Sequence, residues 1–119
     1  MAVALAVLAL GGIVLIVIGW LGLVGKLPRN HWAGIRTFYT MRNDENWKAT
    51  HRAAGPLLIF GGVAVTAAAL AFLPFAITGK VSEGLAATVS TALAAVTLVT
   101  VAAAWLYGTR VARSRTGAL

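Results

Sequence analysis

The residues able to do chemistry are few and lie close together. His31, Asp44, Glu45 and His51 fall in one polar stretch, residues 26–52, with Thr37, Thr40 and Thr50 among them. Imidazoles with carboxylates could hold a metal. An imidazole with an acid and a hydroxyl could activate a nucleophile. The spacing speaks against both. The two histidines are 20 residues apart, no HxxxH pair occurs and cysteine is absent, so no metal ligand set is expected. Nucleophilic catalysis needs a base within hydrogen-bond reach of a hydroxyl, and loop threonines mostly serve turns and caps. No catalytic residue, metal or cofactor is therefore expected.

The same stretch is basic. Lys26, Arg29, Arg36, Arg42, Lys48 and Arg52 face only Asp44 and Glu45, a local charge of +4. Arg110, Arg113 and Arg115 add +3 near the C-terminus, and the Lys80–Glu83 island is neutral, so these segments account for the net +7. A sequence pI near 11.3 taken alone suggests a nucleic-acid binder. Yet only 11% of the 119 residues are charged and 60% are hydrophobic, with a mean hydropathy of +0.87. A disordered chain is poorer in apolar residues, and a soluble domain this small cannot bury so many. No nucleic-acid-binding element is evident, and no nucleic-acid partner is expected.

What positions the polar stretch is a set of three uncharged spans, at about residues 2–25, 53–77 and 84–107. About 20 apolar residues cross a hydrocarbon core of roughly 30 Å as a helix, and a short chain has no other way to pair its backbone in lipid. The first span has no preceding Lys or Arg and is read as a retained helix and not a signal peptide. The expected fold is all-α: an integral membrane protein with three transmembrane helices, a basic cytoplasmic loop at 26–52 containing a short amphipathic helix, and a tail at 108–119. The Lys and Arg bias places the N-terminus outside, the loop and the C-terminus in the cytoplasm, and residues 78–83 outside. Trp20, Trp105 and Tyr107 fall at the cytoplasmic span ends, where aromatic belts form.

Gly11, Gly12, Gly19, Gly22 and Gly25 in the first span, and Gly61 and Gly62 in the second, permit close backbone approach. Packing among the three helices is the simpler reading, ahead of a contact between copies. Thr88, Ser90, Thr91, Thr97 and Thr100 scatter around the third helix and form no polar path. No ionisable residue lies in a span core, which argues against a pump or transporter acting alone.

Within the loop, Leu27, Pro28, Arg29, Asn30 and Gly34 read as turn material. Asn43 should cap a helix whose first turn carries Asp44 and Glu45, where the macrodipole favours negative charge. Asp44 and Lys48 are a favourable i,i+4 pair. Trp47 and His51 share one face of that helix, Lys48 and Arg52 another. The helix covers residues 44–54, with Pro56 at its junction to the second span or as the first helical residue after it. The basic side chains would gain from anionic lipid at the membrane surface, each by roughly 1 kcal/mol.

The density of special residues in this loop exceeds what a lipid contact needs. Asn30-x-Trp32-x-Gly34-Ile35-Arg36-Thr37, then Thr40, then Asp44-Glu45-x-Trp47-Lys48-x-Thr50-His51-Arg52-x-x-Gly55 resembles the SdpI family of bacterial membrane proteins. The match covers about 26 residues closely. Phe38-Tyr39 stands where members often carry proline or a basic residue, and the namesake has an additional membrane half ahead of this unit. The resemblance implies a non-enzymatic protein of the bacterial cell membrane. The namesake confers immunity to a secreted killing peptide and signals by sequestering a repressor. The implied partners are a toxin peptide or a cytoplasmic regulator. The matched positions Asn30, Trp32, Gly34, Ile35, Arg36, Thr37, Thr40, Trp47, His51 and Arg52 form the candidate functional motif, with no catalytic role implied. The alternative is a small accessory subunit of a larger membrane enzyme or transporter complex. A third reading, an enzyme acting on lipid head groups, lacks a visible nucleophile and base.

Overall fold

The computed structural model describes residues 1–116 and contains four helices. α1 spans Ala2–Leu23, α2 Phe38–Arg42, α3 Asp44–Ile77 and α4 Glu83–Thr116. α1, α3 and α4 are long and apolar enough to cross a membrane. The molecule is a rod of 53 × 22 × 20 Å, so its long axis matches a bilayer with its headgroup layers plus a polar extension. The protein is an all-helical, multi-pass membrane protein.

Two spans end in the same way. At α1 the Gly25 N–H bonds the Gly22 carbonyl at 3.3 Å and the Lys26 N–H bonds the Leu21 carbonyl at 2.8 Å. At α3 the Gly79 N–H bonds Ala76 at 3.4 Å and the Lys80 N–H bonds Phe75 at 2.9 Å. Both are Schellman closures, and the glycine takes φ +76° or +71° where a Cβ would be strained. A lysine follows each glycine directly, so the stop and the first charge coincide.

α3 lies between α1 and α4, which touch each other little. Glycines set the approach of α1 to α3. A methyl on Gly55 would lie 2.6 Å from the Gly19 carbonyl oxygen, and one on Gly62 2.6 Å from that of Gly12. The two pairs are seven residues apart on both antiparallel helices, two turns that return to the same face. On the other side Gly108 of α4 sits against Ala54 and the Thr50 carbonyl. The small residues thus serve packing among the three helices. Only Gly11 faces open space in α1. One core cluster joins Leu5, Ala9 and Ala69, and a second joins Ala54, Leu58 and Ala104 with Ile35 of the loop packed on it. Val7, Leu10, Phe60, Leu98 and Val99 remain more than half exposed, as lipid-facing residues should be.

Two local expectations need revision. Pro56 is no junction: α3 runs unbroken through it and through Pro74. A proline in a helix forfeits one backbone bond, but Pro56 is exposed while Ala54, Gly55 and Leu58 are buried between α1 and α4, and that packing keeps the helix continuous across the gap. The tail expected from residue 108 continues α4 as far as Thr116. Its last three residues, 117–119, lie outside the described residues. Asp44 meets Arg29 (Nε to Oδ1, 3.6 Å) in place of Lys48, because the chain before α2 folds back over the start of α3.

Candidate functional site

The loop is a strap laid over the polar end of α3, with nearly every motif residue engaged in holding it there. Asn43 caps α3 as expected, its side chain accepting the Asn46 N–H at 2.8 Å. Asn46, Trp47, Thr50 and His51 then form the buried face of the first two turns, and all but Thr50 have a hydrogen-bond partner in the loop. The Asn46 amide donates to the Tyr39 carbonyl at 2.9 Å. The Trp47 indole N–H donates to the Leu27 carbonyl at 2.8 Å. The Ile35 N–H donates to His51 Nε2 at 2.8 Å.

His51 is the centre of this arrangement. It is 1% exposed and its ring lies 4.2 Å from that of Trp47, centroid to centroid. Because Nε2 accepts a backbone N–H, the ring proton must be on Nδ1, which donates to the Trp47 carbonyl at 2.7 Å. This fixes one neutral tautomer. His51 belongs to the polar extension of α3, before the apolar stretch. Burial lowers its pKa from the usual imidazole value, and the bond to the Trp47 carbonyl opposes that only in part.

Gly34 is what lets the loop close on this ring. Its φ is +107°, and a Cβ there would stand 2.6 Å from His51 Nε2 and 3.1 Å from the Trp47 ring. The turn before it is tied by Asn30, whose Oδ1 accepts the N–H groups of Trp32 and Ala33 at 2.7 Å each. Its amide donates to the Pro28 carbonyl at 2.7 Å. The Arg36 guanidinium donates to the His31 carbonyl. After it comes a capping box: the Thr40 N–H bonds Thr37 Oγ1 at 3.2 Å and the Thr37 N–H bonds Thr40 Oγ1 at 2.8 Å. The Thr40 hydroxyl then donates to the Ile35 carbonyl at 2.8 Å, which pins both sides of Ile35.

The structure therefore brings together Asn30, Gly34, Ile35, Arg36, Thr37, Thr40, Trp47 and His51. It separates Arg52, which lines another groove with Glu45, Lys48 and Arg115 and whose guanidinium lies beside Gly25. The Trp32 side chain is also apart, 92% exposed, although its backbone joins the Asn30 turn. Sequence reasoning missed α2 and its buried Tyr39, whose hydroxyl pairs with Thr116 Oγ1 at 2.6 Å and whose ring lies 5.1 Å from the Arg113 guanidinium. The Thr37-x-x-Thr40 spacing carried a capping signal for that helix. It also missed Asn46 and Leu27, which nothing in local pattern singles out. Phe38, 97% exposed, projects from the same strap.

This geometry has a chemical consequence. Both His51 nitrogens are spent on backbone groups, so His51 has no free position for a proton relay or a metal. No group of three His, Asp or Glu side chains comes together among the described residues.

The motif residues lie in one segment, and the model of the SdpI/YfhL protein family matches residues 26–109. The chain belongs to the SdpI/YfhL family. Comparison with curated proteins and with solved structures gives no match. The SdpI match begins at Lys26, where α1 has just closed, and ends at Thr109. It therefore takes in the whole strap, α3 and most of α4. The strap is thus part of the SdpI unit itself and not an insertion between two generic helices.

Proposed function

We propose that this is a non-enzymatic SdpI-type protein of the bacterial cell membrane that acts through protein or peptide contacts at its basic end. The observation that carries this reading is the strap. Its Asn30, Thr37 and Thr40 side chains are consumed in holding its own turns and its backbone docks on α3, while Trp32, Arg36 and Phe38 are left exposed on its outer side. Such a surface is built to present side chains and not to turn over a substrate. Exposed aromatic and arginine anchors are the side chains that most often dominate a protein contact. The strap's +4 and the +3 of the last turns of α4 lie at the same end of the rod, which the positive-inside bias assigns to the cytoplasm, with the N-terminus outside. A cytoplasmic regulator or a toxin peptide reaching the membrane surface is the partner class that fits.

The test is a peptide-toxin sensitivity assay in a bacterial strain deleted for the gene and complemented with wild type, Arg36→Ala or Trp47→Ala. Both variants should insert normally in the membrane and fail to protect. Full protection by both, with wild type confirmed active, contradicts the reading.

A second reading, an accessory subunit of a larger membrane complex, has one observation in its favour. The outer face of α4 carries a shallow groove lined by Ala87, Thr88, Thr91, Ala92 and Ala95, and small residues of this kind admit close helix contacts. Purification in mild detergent with mass analysis separates the two readings: a stoichiometric large partner supports the subunit.

A further inference from the structure

Where the strap meets α4 there is a groove of about 360 Å³ lined by Thr37, Trp105, Leu106, Thr109, Arg110 and Arg113. Its composition is graded along the helix axis. Trp105 and Leu106 are exposed apolar residues at the end of the uncharged stretch, and Arg110 and Arg113 follow at i,i+3 spacing on the same side. Arg110 stands five residues beyond Trp105, which is roughly 7 Å along a helix. That step is about the thickness of the polar layer on each side of a bilayer's hydrocarbon core. An apolar floor at acyl-chain depth therefore lies directly below two guanidiniums at phosphate depth.

Among the described residues no carboxylate pairs with the charges in the groove. No carboxylate lines it, and among the described residues the ion pairs join Met1 to Glu83 and Arg29 to Asp44, both elsewhere. Arg113 is also oriented, since it rests on the Tyr39 ring, which is itself held by Thr116. Guanidinium forks and threonine hydroxyls are suited to phosphate oxygens.

We propose that this groove is a binding site for one anionic phospholipid, with the phosphate held by Arg110, Arg113 and Thr37 and the upper acyl chain lying on Trp105 and Leu106. The site is distinct from the exposed outer side of the strap, and its occupancy would tie the strap, α4 and the membrane surface together. It does not depend on whether that outer side contacts a peptide or a regulator.

Native mass spectrometry of the full chain in mild detergent tests this, with dioleoylphosphatidylglycerol and dioleoylphosphatidylcholine as titrants. The anionic lipid should bind at least about fivefold more tightly than the zwitterionic one. Arg110→Gln/Arg113→Gln should lower its affinity by about tenfold or more, each basic side chain near an anionic surface contributing a factor of roughly five. The charge-matched control Lys48→Gln/Arg52→Gln, in the neighbouring groove, should change it by less than about threefold. Arg110→Gln alone leaves the Arg113–Tyr39 contact intact and guards against a folding artefact; it should lose about fivefold. Inorganic phosphate in millimolar excess should not displace the lipid. Equal affinity for the two lipids, equal losses in the two double variants, or displacement by phosphate would each overturn the proposal, the last by making the groove a free-anion site.

Discussion

At the scale of single residues, His51 is the part of the motif whose role the geometry defines most sharply. It accepts from Ile35 and donates to Trp47, and it does so in the neutral state. Loss of the ring in His51→Ala would leave the Ile35 N–H without its partner in a partly buried place, at a cost of about 1–3 kcal/mol, to be read as a fall in the melting temperature of the detergent-solubilised protein. Protonation should act in the same direction. The folded-state pKa of His51 lies below the usual 6.5, so between those two values the unfolded chain binds the extra proton and the folded one does not. Stability is then fully present above about pH 6.5 and declines as the pH falls below it. The decline should shrink in His51→Ala, and equal pH slopes in the two proteins would refute it. Gly34→Ala combines a disfavoured φ with a collision against His51 Nε2. It should destabilise by on the order of 1–3 kcal/mol, in the same melting assay.

At the scale of elements, the glycine pairs hold α1 to α3. Gly55→Val should loosen that contact strongly, whereas Gly11→Val, facing open space, should leave the melting temperature nearly unchanged. Comparing the two variants by thermal denaturation checks the register, and similar losses in both would contradict it. Much of this level was legible in advance. Three apolar spans, the Asn43 cap and the shared face of Trp47 and His51 follow from hydropathy, capping chemistry and a period of 3.6. The continuous helix through Pro56 was not legible, because its integrity comes from burial of Ala54, Gly55 and Leu58 against two other helices, a tertiary effect that overrides a local breaker. The docking of the strap was not legible either. Leu27 and Tyr39 contribute backbone carbonyls, and a carbonyl is the same in every residue. The motif could be marked as special by its composition, but the reason for Trp47 and His51 is a long-range hydrogen bond each.

At the scale of the whole molecule, the net charge of +7 resolves into a polarised rod. One end carries the strap and the last turns of α4. The other carries the Met1 ammonium and Glu83 at 3.4 Å, close to neutral as a unit. The absence of cysteine makes orientation directly measurable by single-cysteine labelling in intact cells. A membrane-impermeant maleimide should label Ser82→Cys, and Ser114→Cys only after lysis; the reverse pattern would invert the topology. With the predicted labelling pattern, the arginines of α4 would face the cytoplasmic leaflet, where anionic lipid is met.

The central claim is that the loop is a strap fixed to α3 through one neutral tautomer of His51. Nitrogen-15 NMR of the His51 ring, in the full chain in lipid bilayers at neutral pH, tests it most directly. The predicted result is a protonated Nδ1 and an unprotonated Nε2 correlated with the Ile35 amide. A ring protonated at Nε2, or a freely exchanging imidazolium, would contradict it.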